Sequence, residues 1–255
     1  MTSLIQRFDA NENGRDFVVG DIHGAFSLLD MALETARFDT RTDRLFSVGD
    51  LIDRGPDSLF ASSMLDQPWF FAVRGNHDND FACMSNEEIR MYASVDWNGL
   101  GWALGATDAQ LNKLRHQIGE LPLAIEIKTR RGTAALVHAD APQGMPWGEF
   151  TTRLEEMEPE CLETALWGRK RIQNRDETGI EGIGRVFVGH TIVWNRALAL
   201  GNVMAIDTGA VFKQLGASQG AITLARIDCA AEALALADSD ERGVRIVEEV
   251  SQEPF

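Results

Sequence analysis

Short apolar runs alternate with amphipathic stretches in the first third of the chain. The segments "RDFVVGD" (15–21), "RLFSVGD" (44–50) and "WFFAVRGN" (69–76) are apolar runs that end in Gly, Asp or Asn, and they predict short buried strands. Between them, "AFSLLDMALETARF" (25–38) and "PDSLFASSMLD" (56–66) carry apolar residues at three- and four-residue spacing, which predicts helices. Strand–helix–strand order with short connections predicts parallel strands joined by right-handed crossovers.

The remaining pattern predicts a mixed fold. Residues 81–120 lose the strand pattern and predict a helical insertion, and residues 148–172 predict further helices. "LPLAIEIKT" and "TAALVHAD", separated by "RRG", predict a hairpin. Further short strands are predicted in "RVFVGH", "RALAL", "VMAIDTG" and "AITLARID", with an edge strand in "GVRIVEEV". The whole chain, residues 1–255, is therefore expected to form one α/β domain with mixed sheets.

Composition and charge exclude several classes of protein. No apolar run approaches the roughly 20 residues that a membrane span needs. The N-terminal "MTSLIQRFDANENGRDF" lacks the basic flank and apolar stretch of a signal peptide, so we expect a cytoplasmic protein without membrane contact. A formal net charge of −15 repels nucleic acids at long range, so nucleic-acid partners are not expected.

The cysteines do not form a recognisable framework. There are three, widely spaced and never in a CxxC pair: Cys83, Cys161 and Cys229. This spacing argues against both a disulfide framework and a structural zinc site. We expect three reduced cysteines that serve mainly in packing.

The first three predicted strands each end in a glycine followed by side chains that can bind metal. The segments are "GDIHG" (20–24), "GDLIDRG" (49–55) and "GNHD" (75–78). Two later strands end in "LVHAD" and "FVGHT". Because parallel strands place their carboxyl ends along one edge of a sheet, the side chains at these ends should converge. The converging set is Asp21, His23, Asp50, Asn76, His77, His138 and His190.

These side chains offer carboxylate, imidazole and amide groups without thiolates. That set favours Mn²⁺, Fe or Zn²⁺ over a structural zinc site. Asp21 and His23 are spaced to point the same way from an extended segment and to reach one ion. Asp50 can bridge to a second ion, which Asn76, His138 and His190 can complete. Two cations about 3.5–4 Å apart would clamp a phosphoryl group and generate hydroxide near neutral pH.

The ordered series "GDIHG", "GDLIDRG", "RGNHD", "HAD" and "GHT" resembles the phosphoprotein-phosphatase branch of the metallophosphoesterases, in particular the bacteriophage lambda-type serine/threonine protein phosphatases. The likeness extends to "ELPLAIEI", "WGRKRI" and "IDTGAVF" and covers about residues 15–225. Residues 226–255 form a C-terminal extension of unknown role. The resemblance implies a single-domain sandwich of two mixed β-sheets flanked by helices, with a helical insertion.

The resemblance also implies a mechanism, the hydrolysis of phosphoproteins by a hydroxide that bridges two divalent ions. By similarity, Asp21, His23 and Asp50 hold one ion, and Asp50, Asn76, His138 and His190 hold the other. Manganese is the expected metal, with iron or zinc as alternatives. His77 would protonate the leaving oxygen, and Asp53 would orient it. Arg54, Arg74 and Arg169 would bind the substrate phosphate, with Arg171 as the alternative to Arg169.

Other polar and aromatic residues near the motifs receive structural roles. Asp78 replaces the more usual Glu of the family and is expected to cap a helix or contact a ligand residue. Asp140 and Asp207 are expected to make turn hydrogen bonds. Trp97 or Trp102, in the predicted insertion, could line a substrate groove.

Three competing functions can be weighed on the sequence. A symmetrical bis(5'-nucleosyl)-tetraphosphatase would share several motifs, but "DLIDRG" retains Asp53 and "GHTIV" is closer to the protein phosphatases. Nucleases and cyclic-nucleotide phosphodiesterases with GHxH would need a second imidazole, which "GHTIV" lacks. An inactive phosphoprotein-binding scaffold has no support, since every expected ligand and the acid are present.

Overall fold

A computed structural model describes residues 3–255 and contains two mixed β-sheets with helices on their outer faces. The strands, in chain order, are β1 Ile5–Phe8, β2 Asp16–Val19, β3 Arg44–Ser47, β4 Phe70–Ala72, β5 Ala124–Thr129, β6 Gly132–Val137, β7 Arg185–Val188, β8 Leu198–Leu200, β9 Val203–Ala205, β10 Ile222–Arg226 and β11 Val244–Val247. The helices are α1 Phe26–Thr35, α2 Phe60–Leu65, α3 Asn76–Cys83, α4 Asn86–Ala93, α5 Asp108–Gly119, α6 Trp147–Glu155, α7 Pro159–Trp167, α8 Lys170–Asn174, α9 Ala210–Gln214 and α10 Ala231–Leu236, with a 3₁₀ segment at Trp97–Gly105.

The strand order combines parallel and antiparallel neighbours in both sheets. The first sheet has the order β1-β5-β6-β7-β9-β8, and the second has the order β11-β10-β2-β3-β4. The predicted parallel pairing of β2, β3 and β4 is confirmed, as is the antiparallel β5–β6 hairpin. β11, predicted as an edge strand, pairs in parallel with β10 at one edge of the second sheet.

The two sheets pack face to face because their strands alternate side chains between two apolar layers. In β3, Leu45 faces the helices of the second sheet, whereas Phe46 packs between the sheets. In β7, Val186 faces the helices of the first sheet, and Phe187 lies in the layer between the sheets. These four side chains are fully buried. The expected sandwich of two mixed sheets flanked by helices is confirmed.

The sequence pattern did not predict strand β1. Within IQRF, only Ile5 is fully buried, and Gln6 and Arg7 are exposed. β1 lies at the edge of the first sheet and pairs in parallel with β5, with Ile5 opposite Ala124. A four-residue edge strand has too few buried positions to show the alternation of a half-buried strand, and its partner is far along the chain.

The helical insertion is confirmed as α3, α4, the 3₁₀ segment and α5. None of the helices in residues 3–255 has the length and apolar character that crossing a membrane requires. All three cysteines are free; Cys161 and Cys229 are buried, as expected for packing residues, whereas Cys83 is exposed.

The extension at 226–255 is attached to both sheets. It contains α10 and β11, and its last residue packs against the first sheet. The Phe255 ring lies 4.5 Å from the guanidinium carbons of both Arg131 and Arg185, and its backbone N–H donates to the Arg131 carbonyl. This segment therefore contributes to the packing of the fold.

Candidate metal centre

Strand ends from both sheets meet at one rim of the sandwich. β2, β3 and β4 of the second sheet, and β6 and β7 of the first, direct their carboxyl ends to this rim. The convergence brings together a buried set of side chains, none more than 7% exposed: Asp21, His23, Asp50, Asn76, His77, His138 and His190. Polar groups buried together in this way need partners of opposite charge or hydrogen-bonding character.

One group of possible metal ligands contains His23, Asp50 and His77, whose ligand atoms lie within 4.8 Å of one another. Nε2 of His23 is 3.3 Å from Oδ2 of Asp50. Nδ1 of His23 donates to the backbone carbonyl of Ile52 at 2.8 Å, which leaves the lone pair on Nε2. The backbone bond thus sets the tautomer that a metal would require.

A second group contains Asp50, His138 and His190, so Asp50 belongs to both. Nδ1 of His138 donates to the Val48 carbonyl at 2.8 Å, again leaving the Nε2 lone pair free. That Nε2 lies 3.0 Å from Oδ1 of Asn76 and 3.5 Å from Oδ2 of Asp50. Oδ1 of Asn76 is also 2.8 Å from Nδ1 of His190.

The second group fits a cation because its acceptor atoms converge and its two imidazoles are unprotonated near neutral pH. Burial lowers the pKa of His138, and burial together with the charge on His138 and Arg169 lowers the pKa of His190 to about 3. Both imidazoles are therefore neutral near pH 7. Within the described residues, Nε2 of His190 is buried without a hydrogen-bond partner. Neutral imidazoles, an amide oxygen and a carboxylate form a donor set suited to a divalent metal.

The two groups share one carboxylate, so the arrangement indicates a dinuclear site. Each group has ligand atoms close enough to hold one ion, and Asp50 lies between them. A carboxylate in that position can bridge two cations, which is the arrangement of two-metal phosphoesterase centres.

Asp21 lies beside the two groups but belongs to neither. Its Oδ2 accepts a hydrogen bond from the His190 backbone N–H at 3.0 Å. Burial, with the charges of Asp207 and Asp50, raises its pKa well above the usual range. A nearby cation would relieve this repulsion. The extended conformation expected between Asp21 and His23 is not observed, because His23 has a φ of 46° and turns the chain.

Left-handed backbone conformations concentrate at the centre. Five of its non-glycine residues have φ between 46° and 72°: His23, Asp50, Asp53, Arg54 and His190. Each such residue costs about 1–3 kcal/mol and persists where the surrounding structure fixes it. These conformations turn the side chains at the strand ends toward one another.

The amino terminus of α3 holds the shared carboxylate. The backbone N–H of His77 donates to Oδ1 of Asp50 at 3.0 Å. Asp78 accepts from the backbone N–H groups of Gly75 and Leu51, each at 3.0 Å, and so joins α3 to the loop that carries Asp50. Burial and the charge of Asp50 raise the pKa of Asp78 to about 7. Of the two roles expected for Asp78, the helix cap is confirmed, since its side chain accepts from the N–H of Gly75 at the start of α3.

His77 is paired with a carboxylate on one side and a guanidinium on the other. Its Nδ1 lies 2.8 Å from Oδ2 of Asp53, and its Nε2 lies 2.8 Å from Nη2 of Arg54. Burial alone would lower the pKa of His77, but the hydrogen bond to Asp53 and the charge of Asp50 outweigh it and raise the pKa. Nη1 of Arg54 also lies 2.7 Å from Nε2 of His23. The guanidinium thus places a positive charge and N–H donors beside Nε2 of both imidazoles.

The other arginines named from the sequence occupy different surroundings. Arg169 is exposed, and its Nη1 lies 3.4 Å from the His190 carbonyl oxygen, at the mouth of the centre. Arg171 is buried in an ion pair with Asp140 at 2.9 Å, so Arg169 is the one of the two that is available to a ligand. Arg74 is half-buried, and its guanidinium contacts Asn79 and the Leu121 carbonyl.

The expected turn bonds of Asp140 and Asp207 are both present. Asp140 accepts from the Ala141 N–H, and Asp207 accepts from the Gly209 N–H.

Sequence reasoning missed the contact between Trp102 and Asp53, at 2.8 Å from Nε1 to Oδ1. The only sequence signal was a tryptophan in a predicted insertion, which suggested a groove wall.

Gly189 leaves room for the Asp21 carboxylate, and this gives a test of Asp21. A Cβ built at Gly189 would overlap Oδ1 of Asp21. We expect Gly189→Ala to displace Asp21 and weaken metal binding about 10–100-fold, as changes around metal ligands do. Titration of metal-depleted protein with Mn²⁺, followed by calorimetry, would measure this loss.

Gly148→Ala provides the matched control, since a Cβ there meets nothing within 4 Å. Thermal melting of both variants would show whether each remains folded. Wild-type Mn²⁺ affinity in a folded Gly189→Ala protein would contradict a role for Asp21 in metal binding.

Comparisons with known proteins agree with this geometry. A profile described as calcineurin-like phosphoesterase matches residues 17–178. Serine/threonine-protein phosphatase 1 of Salmonella typhimurium is 37% identical over 227 residues, which cover 88% of this chain and 97% of the relative. A symmetrical bis(5'-nucleosyl)-tetraphosphatase of Dechloromonas aromatica is 42% identical, but over only 64 residues, which are 24% of this chain and 23% of that protein.

Among solved structures, the cold-active protein-tyrosine phosphatase of a Shewanella species superposes with a TM-score of 0.57. The match covers 95% of this chain and 82% of that one at 14% identity, and it bears on the fold alone.

Proposed function

Because the chain belongs to the calcineurin-like phosphoesterase family, we propose that it is a metal-dependent serine/threonine protein phosphatase. The observation that carries the proposal is Asp50, a carboxylate shared by two groups of ligands, with the His77–Asp53 pair beside it. The full-length similarity to a curated serine/threonine phosphatase supports a phosphoprotein substrate.

We assign Asp21, His23 and Asp50 to one divalent ion, and Asp50, Asn76, His138 and His190 to the other. We propose Mn²⁺ as the metal, with iron or zinc as alternatives, since carboxylate and amide oxygens suit Mn²⁺ and imidazoles suit iron or zinc. When bound, two such ions would neutralise phosphate charge and make a water molecule nucleophilic near neutral pH. Asp21 would complete the first group from its position beside it, where burial and the charges of Asp207 and Asp50 raise its pKa.

Arg54 and Arg169 would bind the phosphoryl oxygens. Arg169 already lies exposed at the mouth of the centre. Arg54 would exchange its contacts with His23 and His77 for the substrate, and its planar fork of donors suits two phosphoryl oxygens. Arg74 is proposed as a third phosphate ligand on the family resemblance alone, since its guanidinium contacts Asn79 and Leu121 here.

His77 would act as the general acid. The hydrogen bond from Nδ1 to Asp53 fixes the ring so that Nε2 faces the centre, beside Arg54 and the Asp50 group. The raised pKa of His77 favours the protonated ring, and Nε2 can carry the proton once Arg54, whose Nη2 lies 2.8 Å from it, turns to the substrate. Protonation of a serine or threonine oxygen matters because an alkoxide is a poor leaving group.

We also propose that residues 1–255 act as one domain, since β11 and Phe255 join the sheets.

A combined metal and substrate assay tests the function. We expect purified protein to hold about two divalent ions per chain, as two-metal phosphoesterases do. It should hydrolyse phosphoserine and phosphothreonine peptides with Mn²⁺, and EDTA should abolish this activity. The panel should include a phosphotyrosine peptide and diadenosine tetraphosphate. Faster hydrolysis of the dinucleotide than of every phosphopeptide would favour the tetraphosphatase, and binding of phosphopeptides without turnover would favour the inactive scaffold.

A further inference from the structure

The tip of the insertion reaches into the centre. In the 3₁₀ segment, Asn98 and Gly99 have φ of 56° and 84°, which folds the chain back toward the loop after β3. The Gly99 carbonyl accepts from the Arg54 N–H at 2.8 Å, and a Cβ at Gly99 would lie 2.5 Å from that nitrogen. Nδ2 of Asn98 lies 3.4 Å from Nδ1 of His77. The approach is close enough to require glycine at this position.

Trp102, in the same segment, contacts the carboxylate that holds His77. Its indole N–H donates to Oδ1 of Asp53 at 2.8 Å, whereas Oδ2 of the same carboxylate bonds Nδ1 of His77 at 2.8 Å. Asp53 is only 4% exposed, and each of its two carboxylate oxygens thus has one donor. Its own backbone lies in the left-handed region, with φ of 72°, a conformation that persists where the surrounding structure fixes it.

We propose that Trp102 is a positioning residue for the general acid, acting through Asp53. Two donors on opposite oxygens fix the plane of the carboxylate, and that plane determines the direction of the His77 ring. Without the indole N–H, the carboxylate can rotate about its Cβ–Cγ bond, and Nε2 of His77 loses alignment with the leaving oxygen. The insertion then contributes directly to catalysis and does more than cover the sheet. This proposal rests on the acid role of His77 in the proposed function.

A packing role alone would also explain part of the geometry. Trp102 is half-buried, lies 5.6 Å from Phe81 between ring centroids, and packs against the core under the insertion. A buried indole N–H generally has an acceptor, whatever its function. The two roles differ in one measurable respect. Loss of packing slows all substrates alike, whereas a misaligned acid slows mainly those whose leaving group needs a proton.

The test compares three variants with the wild type. Trp102→Phe removes the indole, and β-(3-benzothienyl)alanine at position 102 keeps its shape but replaces N–H with sulfur. Trp69→Phe is the control, because Trp69 is also half-buried but packs on Phe38 and Phe70 at the amino end of β4, away from the centre. Each protein would be assayed with a phosphoserine peptide and with aryl phosphates ranging from nitrophenyl to phenyl. Thermal melting would confirm that each variant is folded.

We expect both changes at position 102 to lower kcat on the phosphoserine peptide about tenfold with KM little changed. The rate on nitrophenyl phosphate should stay within about twofold of the wild-type rate. A plot of log kcat against the pKa of the leaving group should therefore be steeper in the variants than in the wild type. Trp69→Phe should match the wild type. Equal losses on all substrates, or a wild-type leaving-group dependence in the benzothienyl protein, would overturn the proposal.

The aryl series requires no peptide recognition, so it separates this proposal from the proposed function. A wild-type protein that hydrolyses aryl phosphates but no phosphopeptide would contradict the protein-phosphatase assignment. The slopes of the aryl series in the variants would still decide the role of Trp102.

Discussion

Replacing Asp50 with Asn is expected to lower kcat on a phosphoserine peptide about 10³-fold or more. Asp50 is the only carboxylate common to the two ligand groups found among the described residues. Its loss removes the negative charge that would hold both ions together. Metal ions provide several kcal/mol of charge stabilisation, and each 1.4 kcal/mol corresponds to about a factor of ten in rate. The nearly equal size of Asn leaves the packing of the loop unchanged.

Metal analysis of this variant would show whether the cause is the one proposed. We expect at most one ion per chain in Asp50→Asn, against about two in the wild type. Asp43→Asn is the control, because Asp43 is also buried but pairs with Arg15, away from the centre. It should lose stability and keep its metal. A variant at position 50 with full metal content and activity would refute the shared-ligand assignment.

His77→Asn is expected to separate substrates by their leaving group. General acid catalysis contributes about 10²–10⁴-fold, so kcat on a phosphoserine peptide should fall within that range. An activated aryl phosphate leaves without full protonation, and its rate should fall much less. Parallel measurements of kcat on both substrates would give the ratio that decides the role.

The chain offers a matched control for this change. His116, the one histidine outside the centre, is exposed on α5, and His116→Asn should leave both rates unchanged. Metal content must remain at the wild-type level in His77→Asn, since His77 also lies in the first ligand group. Equal losses on the peptide and the aryl phosphate would remove His77 from the acid role.

The sequence predicted the convergence of the ligands because that convergence follows from strand direction. Once β2, β3 and β4 are parallel, Asp21, Asp50 and Asn76 must emerge at the same edge, whatever the details of the loops. His138 and His190 follow β6 and β7, which are parallel to each other in the other sheet, so their meeting with the first three residues also depends on how the two sheets pack. For Asp21, Asp50 and Asn76, the prediction needed only the order of the apolar runs and the residues after each one.

Contacts that depend on loop conformation could not be predicted in this way. Arg54 was expected to face the phosphate, yet a left-handed φ of 65° directs its guanidinium to His23 and His77. The bond from Trp102 to Asp53 joins segments separated by 49 residues. It depends on the turn at Asn98 and Gly99. Neither the loop at Arg54 nor the turn at Asn98 and Gly99 has apolar residues at a regular spacing, so the hydrophobic pattern could not predict their conformations.

The division of the ligands between the two sheets has a further consequence. Asp21, His23, Asp50 and Asn76 follow strands of one sheet, whereas His138 and His190 follow strands of the other. An ion held by Asn76, His138 and His190 would therefore act as a cross-link at the open end of the sandwich. Binding of the cation would then be coupled thermodynamically to the packing of the two sheets against each other. Removal of the cation by a chelator should therefore weaken this packing, beginning at the rim that carries the ligands.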